Sequence, residues 1–262
     1  MVVTSKIDSF DKLIMHTFFE GFDFFGFVHR GGDEVETENT LEAFQHSSDL
    51  GFTFMETDVQ FTSDGEVVIF HDIDLKRIAG IPKKVSELSI KEIKSIELLH
   101  GGKIPTLNEL LSSFKNLRFN IDIKVDDAVD KSIEIIKSHD ALKRTCLAAF
   151  STKRLNRIRS LAGDGVCTSM GQIEVAKLMM KSYGMPFKNQ PGMCAQVPTA
   201  QWGVPVVTKN FIQEAHRQEK LVHVWTIDES EQMNSLIKMG VDGLMTDKPS
   251  VLKSVLVEQN LF

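Results

Sequence analysis

Short apolar and β-branched runs alternate with amphipathic segments of helical period along this chain. The runs predict strands at 25–29, 54–60, 66–71, 118–123, 146–150, 166–169, 193–197, 221–225 and 243–245. Between them lie helices with legible starts. Asn39, Thr106 and Asp228 each read as an N-cap followed three residues later by Glu42, Glu109 or Glu231, which can reach back to the cap backbone. Gly51 and Gly240 stand just past helical runs, where a left-handed residue is favoured. Repeated strand–helix units predict a parallel sheet, and eight of them close into a barrel with its site at the carboxyl ends of the strands. Run 66–71 follows its predecessor after Ser63, Asp64 and Gly65, so it reads as a hairpin extension of the second strand. Residues 72–105 carry one short helical pattern at 86–98 and little strand character, and read as a small insertion. The expected fold is an α/β (β/α)8 TIM barrel with that insertion after its second strand, in a single domain over 1–262.

Polar chemistry is concentrated where the apolar runs stop. His29, Arg30, Gly31 and Gly32 follow the first run, Glu56 and Asp58 lie on the second, and His71 and Asp72 end the third. Two imidazoles with hard oxygen donors are suited to metal-assisted attack on a phosphodiester. Glu56 and Asp58 are two positions apart, so they share one face of a strand and repel unless a cation or proton intervenes. Asp122 and Lys124 share a face by the same spacing, which leaves a plain ion pair as the alternative reading of Asp122. Arg30 and Lys124 are candidates for holding phosphate oxygens; a surface salt bridge is the other reading of Arg30.

Composition sets the outer limits. The 262 residues are 42% hydrophobic with a net charge of −6, which argues against general affinity for nucleic acid or anionic membranes. Cys146, Cys167 and Cys194 form no CxxC pair, so reduced thiols in a reducing compartment are expected. The amino terminus lacks the basic–apolar–small order of a signal peptide, and no apolar stretch is long enough to span a bilayer. A cytoplasmic location is the resulting expectation, with no stable membrane insertion. The aromatic segment 18–27 reads as a lid over the barrel floor; its alternative is a patch that touches lipid aggregates.

The ordered motifs resemble the glycerophosphodiester phosphodiesterase family of bacterial type. They are HRGG at 29–32, ENTLEAF at 38–44, GFTFMETDVQFTSDGEVVIFHD at 51–72, IPTLNELL at 104–111, NIDIK at 120–124, VHVWTID at 222–228 and GVDGLMTDKP at 240–249. The resemblance implies hydrolysis of a small-molecule glycerophosphodiester to sn-glycerol 3-phosphate and an alcohol. It implies His29 and His71 as general acid and base, without saying which is which. It also implies Mg²⁺ or Ca²⁺ on Glu56 and Asp58, with Asp122 as third carboxylate where the family often has Glu. Glu38 would orient Arg30 or His29, and Trp225 would form an apolar wall for the glycerol carbons. Thr37 replaces a proline that often precedes the ENT motif. Asn39 is expected to serve as a helix cap, and Asp247 as an N-cap outside the site. Two alternatives stand beside this reading: a lysophospholipase D acting on lipid, and a non-catalytic barrel that binds phosphate esters.

Overall fold

The computed structural model describes residues 16–163 and 165–262. The amino-terminal stretch read above for a signal peptide lies largely outside the described residues. The chain begins with β1 (Phe25–Val28), α1 (Leu41–Asp49), β2 (Phe54–Phe61) and β3 (Val67–Ile69). Then come α2 (Lys76–Ala79), α3 (Ile90–Ser95), α4 (Leu107–Ser113), β4 (Arg118–Ile123) and α5 (Ala128–Ser138). The second half runs β5 (Thr145–Ala148), α6 (Thr152–Ala162), β6 (Cys167–Thr168), α7 (Gln172–Ser182) and β7 (Cys194–Val197). It finishes with a small hairpin, β8 (Ala200–Gln201) and β9 (Val204–Pro205), then α8 (Lys209–Arg217), β10 (Leu221–Val224), α9 (Ser230–Met239), β11 (Gly243–Thr246) and α10 (Pro249–Glu258).

The main sheet runs β6-β5-β4-β2-β1-β11-β10-β7, with parallel pairing throughout. A parallel bridge between Ser169 and Cys194, supported by Met193 N–H donating to the Thr168 carbonyl at 2.8 Å, joins the two ends into a ring. This is the expected (β/α)8 barrel. Strand β3 pairs antiparallel with β2 from Val59–Ile69 to Phe61–Val67, as the Ser63–Gly65 turn predicts.

The insertion holds an apolar cluster of its own around Leu75, Ile78, Val85, Ile93 and Leu98. Its expected helix is shorter than 86–98. Ser89 caps it with a reciprocal Glu92 bond, and at Ile96 the backbone turns extended (ψ 131°), which sends Ile96 and Leu98 into that cluster. The Thr106–Glu109 capping box is present as predicted. Two other cap assignments need correction. Thr40, not Asn39, caps α1; and α9 starts from Glu229 without a side-chain cap, because Asp228 bonds elsewhere.

The barrel floor is filled by Phe18, Phe19, Phe25, Phe27 and Phe54, with the three cysteines and Met245 beside them. The segment at 18–27 therefore seals the amino-terminal end of the barrel, opposite the strand ends that carry the polar residues. Phe18 and Phe19 are fully buried, which removes them as a lipid-contacting patch. Among the described residues no helix is long and apolar enough to cross a membrane.

Candidate active site

Period-2 alternation lines the barrel interior in rising layers. On β2, Phe54 sits in the floor while Glu56 and Asp58 stand above it; on β4, Asn120 and Asp122 pair in register with them. Asn120 Oδ1 accepts from Gln196 Nε2 of β7 at 3.0 Å, a bond across the barrel rather than along the sheet. His223 lies in the same interior against Phe19, Phe25 and Phe27, with both ring nitrogens unpartnered. Burial alone pushes its pKa down to about 3, so it is neutral and part of the packing.

Above this layer the ladders stop and functional side chains take over. Strands expected to include His29, His71, Phe150 and Trp225 end before them, because the backbone leaves the sheet as these residues turn toward the barrel mouth. His29 opens a single 3-10 turn, and Arg30 after it has φ 52°. His29 Nδ1 lies 2.7 Å from Asp247 Oδ1, and His71 Nδ1 lies 2.7 Å from Asp72 Oδ1. A carboxylate can only accept, so in each pair Nδ1–H donates and Nε2 is left to exchange protons. His29 Nε2 faces Glu56 Oε2 at 3.7 Å. Burial would lower the His29 pKa, but Glu56 and then the Asp247 hydrogen bond outweigh it, and the net direction is upward.

Lys124 Nζ sits between two carboxylates, 2.8 Å from Asp58 Oδ1 and 2.6 Å from Asp122 Oδ2. Arg30 Nε is 3.4 Å from Asp58 Oδ2, an ion-pair distance, while its Nη1 donates to Glu38 Oε1 at 3.0 Å. These two cations hold the buried Asp58 below the usual carboxylate range despite its desolvation. Among the described residues Glu56 has no lysine or arginine side chain at ion-pair distance; it faces His29 and accepts from the Arg30 backbone N–H at 3.3 Å. Burial, and then the charge of Asp58, push it up to about 8. Asp122 is likewise raised by burial, and its Oδ1 has no partner.

The donor chemistry of Glu56, Asp58 and Asp122 fits a hard divalent cation: three buried carboxylates supply hard oxygen ligands, and one buried oxygen, Asp122 Oδ1, has no partner. Among the described residues, however, no three His, Cys, Asp or Glu groups converge tightly enough to hold an ion as they stand. Lys124 pairs with both Asp58 and Asp122 in this arrangement.

The fold thus gathers every candidate named from the sequence at one end of the barrel. Trp225 meets Phe150 edge-on with ring centres 6.4 Å apart, and Phe150 in turn lies 5.8 Å from Lys124 Nζ. Three residues join them that were not expected there. Asp247 holds His29 instead of capping α10; Lys248 occupies the cap position, with Pro249 opening the helix. Gly243 and Met245 alternate along β11 (Gly243–Thr246), and Asp247, one residue past its end, continues that period-2 spacing. Asn39 has φ 59° and bridges the second strand, accepting from Thr57 Oγ1 at 2.8 Å and donating to Asp58 Oδ2 at 3.2 Å. Arg77, from the insertion, donates to both Glu38 and Asp72.

The Glycerophosphoryl diester phosphodiesterase family model matches residues 29–251, most of the chain. The chain belongs to this family. A probable glycerophosphodiester phosphodiesterase 2 of Mycobacterium tuberculosis is 34% identical over 237 residues, covering 88% of this chain and 89% of that protein. A human lysophospholipase D is 25% identical over 265 residues, covering 87% and 84%. In three dimensions, a crystal structure of a putative glycerophosphoryl diester phosphodiesterase from Silicibacter pomeroyi superposes with a TM-score of 0.80 at 21% identity, covering 94% of this chain and 99% of that one. As a member of the family the chain is a phosphoric diester hydrolase on a TIM barrel, with its polar cluster at the carboxyl ends of the strands.

Proposed function

We propose that this enzyme hydrolyses glycerophosphodiesters to sn-glycerol 3-phosphate and an alcohol, using His29 and His71 as its proton-transfer pair and a divalent cation as cofactor. One observation carries the reading: two imidazoles, each held through Nδ1 by a carboxylate, stand at the same barrel end as Arg30, Lys124 and three buried carboxylates. One Nε2 takes the proton of the attacking hydroxyl or water, and the other gives a proton to the departing alkoxide. Arg30 and Lys124 pair with the phosphate's nonbridging oxygens and oppose the charge that develops there. Glu38 fixes the Arg30 guanidinium, and Trp225 with Phe150 supplies an apolar wall beside Lys124 for the glycerol carbons. Glu56, Asp58 and Asp122 would hold Mg²⁺ or Ca²⁺, which when bound supplies Lewis-acid stabilisation of the phosphate. The buried, free Cys146, Cys167 and Cys194 support a reducing compartment, which we take to be the cytoplasm.

A lysophospholipid substrate is the second reading. The hairpin of β8 and β9 follows β7, on the face that bears the site, and holds Trp202 at its tip 93% exposed. An exposed Trp at a site's rim suits the boundary between water and lipid.

Release of sn-glycerol 3-phosphate from glycerophosphocholine, measured with Mg²⁺, with Ca²⁺ and with excess EDTA, tests the proposal. Release with a cation and none with EDTA is expected; undiminished release in EDTA removes the cation from the mechanism. Faster cleavage of lysophosphatidylcholine would favour the second reading.

A further inference from the structure

The insertion sends one side chain back to the site. Arg77 lies on α2, a single turn closed by Gly80 in the left-handed region (φ 71°) and rooted through buried Leu75 and Ile78. Its guanidinium makes two forks. Toward Glu38, Nη1 donates to Oε2 at 2.8 Å and Nη2 to Oε1 at 2.8 Å. Toward Asp72, Nε donates to Oδ2 at 2.7 Å and Nη2 to Oδ1 at 3.2 Å. Glu38 Oε1 also accepts from Arg30, and Asp72 Oδ1 also meets His71 Nδ1. One unbroken chain of charged hydrogen bonds thus runs Arg30–Glu38–Arg77–Asp72–His71, with Arg77 at its centre.

We infer that Arg77 is a positioning residue: it clamps Glu38 and Asp72 at a fixed separation and so sets the phosphate-side Arg30 and the imidazole of His71 in register. Glu38 and Asp72 are both anionic, so without the guanidinium between them they repel and each relaxes toward solvent. Only a planar fork can hold two carboxylates bidentately; an ammonium has the charge without the geometry. The inference gives the insertion a purpose, since its apolar cluster anchors the turn that carries Arg77. It rests on the proposed roles of His71 and Arg30.

The test compares the parent with Arg77→Ala and Arg77→Lys on glycerophosphocholine with Mg²⁺ or Ca²⁺. Arg77 is half exposed and its removal leaves no cavity, so the Ala variant should melt as the parent does. We expect kcat/KM to fall roughly 10- to 100-fold in Arg77→Ala, as a small misplacement of reacting groups does. The loss should divide between KM, through Arg30, and kcat, through His71. Lys should recover only part of it, and added guanidinium ion should raise the Ala variant but not the parent. Adding Asp72→Asn should make the Arg77→Ala change cost less than it does in the parent background.

A kcat and KM within about twofold of the parent in Arg77→Ala overturns the inference. Should the Ala variant not fold, Arg77→Lys decides: activity equal to the parent's overturns it, and a loss supports it. Turnover by the parent that disappears in His71→Ala establishes the underlying reading separately. If the parent has no turnover, that reading fails, while the positioning is still read from the ¹⁵N imidazole spectrum. The His71 resonances, assigned with His71→Ala, should shift in Arg77→Ala; unmoved resonances contradict the clamp.

Discussion

His29 and Asp247 are 218 positions apart in sequence, and their Nδ1 and Oδ1 atoms are 2.7 Å apart. Barrel closure creates this pair, because β1 and β11 are neighbours in register from Phe25–Gly243 to Val28–Thr246. Asp247 is itself fixed from behind: Asp228 Oδ1 accepts from both its backbone N–H and Thr246 Oγ1 at 2.9 Å. The imidazole therefore has one tautomer and one orientation available for chemistry.

Replacing Asp247 by Asn should accordingly cost on the order of 10²-fold in kcat, the lower range of what positioned acid–base catalysis supplies. The amide can turn its NH₂ toward Nδ1 and select the wrong tautomer. The fold should survive, since α10 does not use this side chain as a cap. Steady-state kinetics beside a thermal melt check both parts; a kcat equal to the parent's would show that His29 needs no orienting carboxylate.

Asn39 makes a stability prediction. It is buried, bonds to Thr57 and Asp58, and adopts a positive φ that Asn tolerates better than most residues. Asn39→Ala takes the acceptor from the buried Thr57 hydroxyl, removes one of the hydrogen bonds to Asp58, and leaves the backbone strained. A loss of about 1–3 kcal/mol is expected, the cost of unsatisfied buried polar groups. Urea denaturation measures it, and a change below about 0.5 kcal/mol, typical of a surface substitution, would contradict the bridging role.

Away from the site, His216 gives a pH signature. The hydrogen bond to Asp242 Oδ2, at 2.9 Å, raises its pKa against the opposing effect of burial. A histidine whose folded-state value is raised holds its proton more tightly in the fold than in the unfolded chain. Its contribution to stability is thus complete below the ordinary value of about 6.5 and fades as pH climbs through the raised value. Glutamine at 216 keeps a donor but cannot titrate. The Tm deficit of His216→Gln should be larger near about pH 5.5 than near about pH 8.5. An equal deficit at both would assign the effect to packing.

The sequence made local features legible and left distant ones hidden. Alternation on β2 identified Glu56 and Asp58 as one face, and the Thr106–Glu109 spacing gave the start of α4, because strand period and helix caps act over a few residues. Asp247 misleads for the same reason: a carboxylate just before Lys-Pro reads locally as a cap, while its partner arrives from the far end of the chain. Asp228 followed suit, giving its side chain to Thr246 and Asp247. Arg77 carried no signal, since its reach to Glu38 depends on how the insertion folds back. The aromatic run at 18–27 was interpretable because a barrel floor needs apolar bulk, and Phe18, Phe19, Phe25 and Phe27 supply it.

The most direct test of the account is turnover of glycerophosphocholine by His29→Ala and His71→Ala, each first shown by circular dichroism and thermal melting to retain the parent fold. Both variants should fall by at least about 10²-fold, the scale of a lost general acid or base. Retention of more than a few per cent of parental activity by both would contradict the proton-transfer pair, and with it the mechanism proposed for this site.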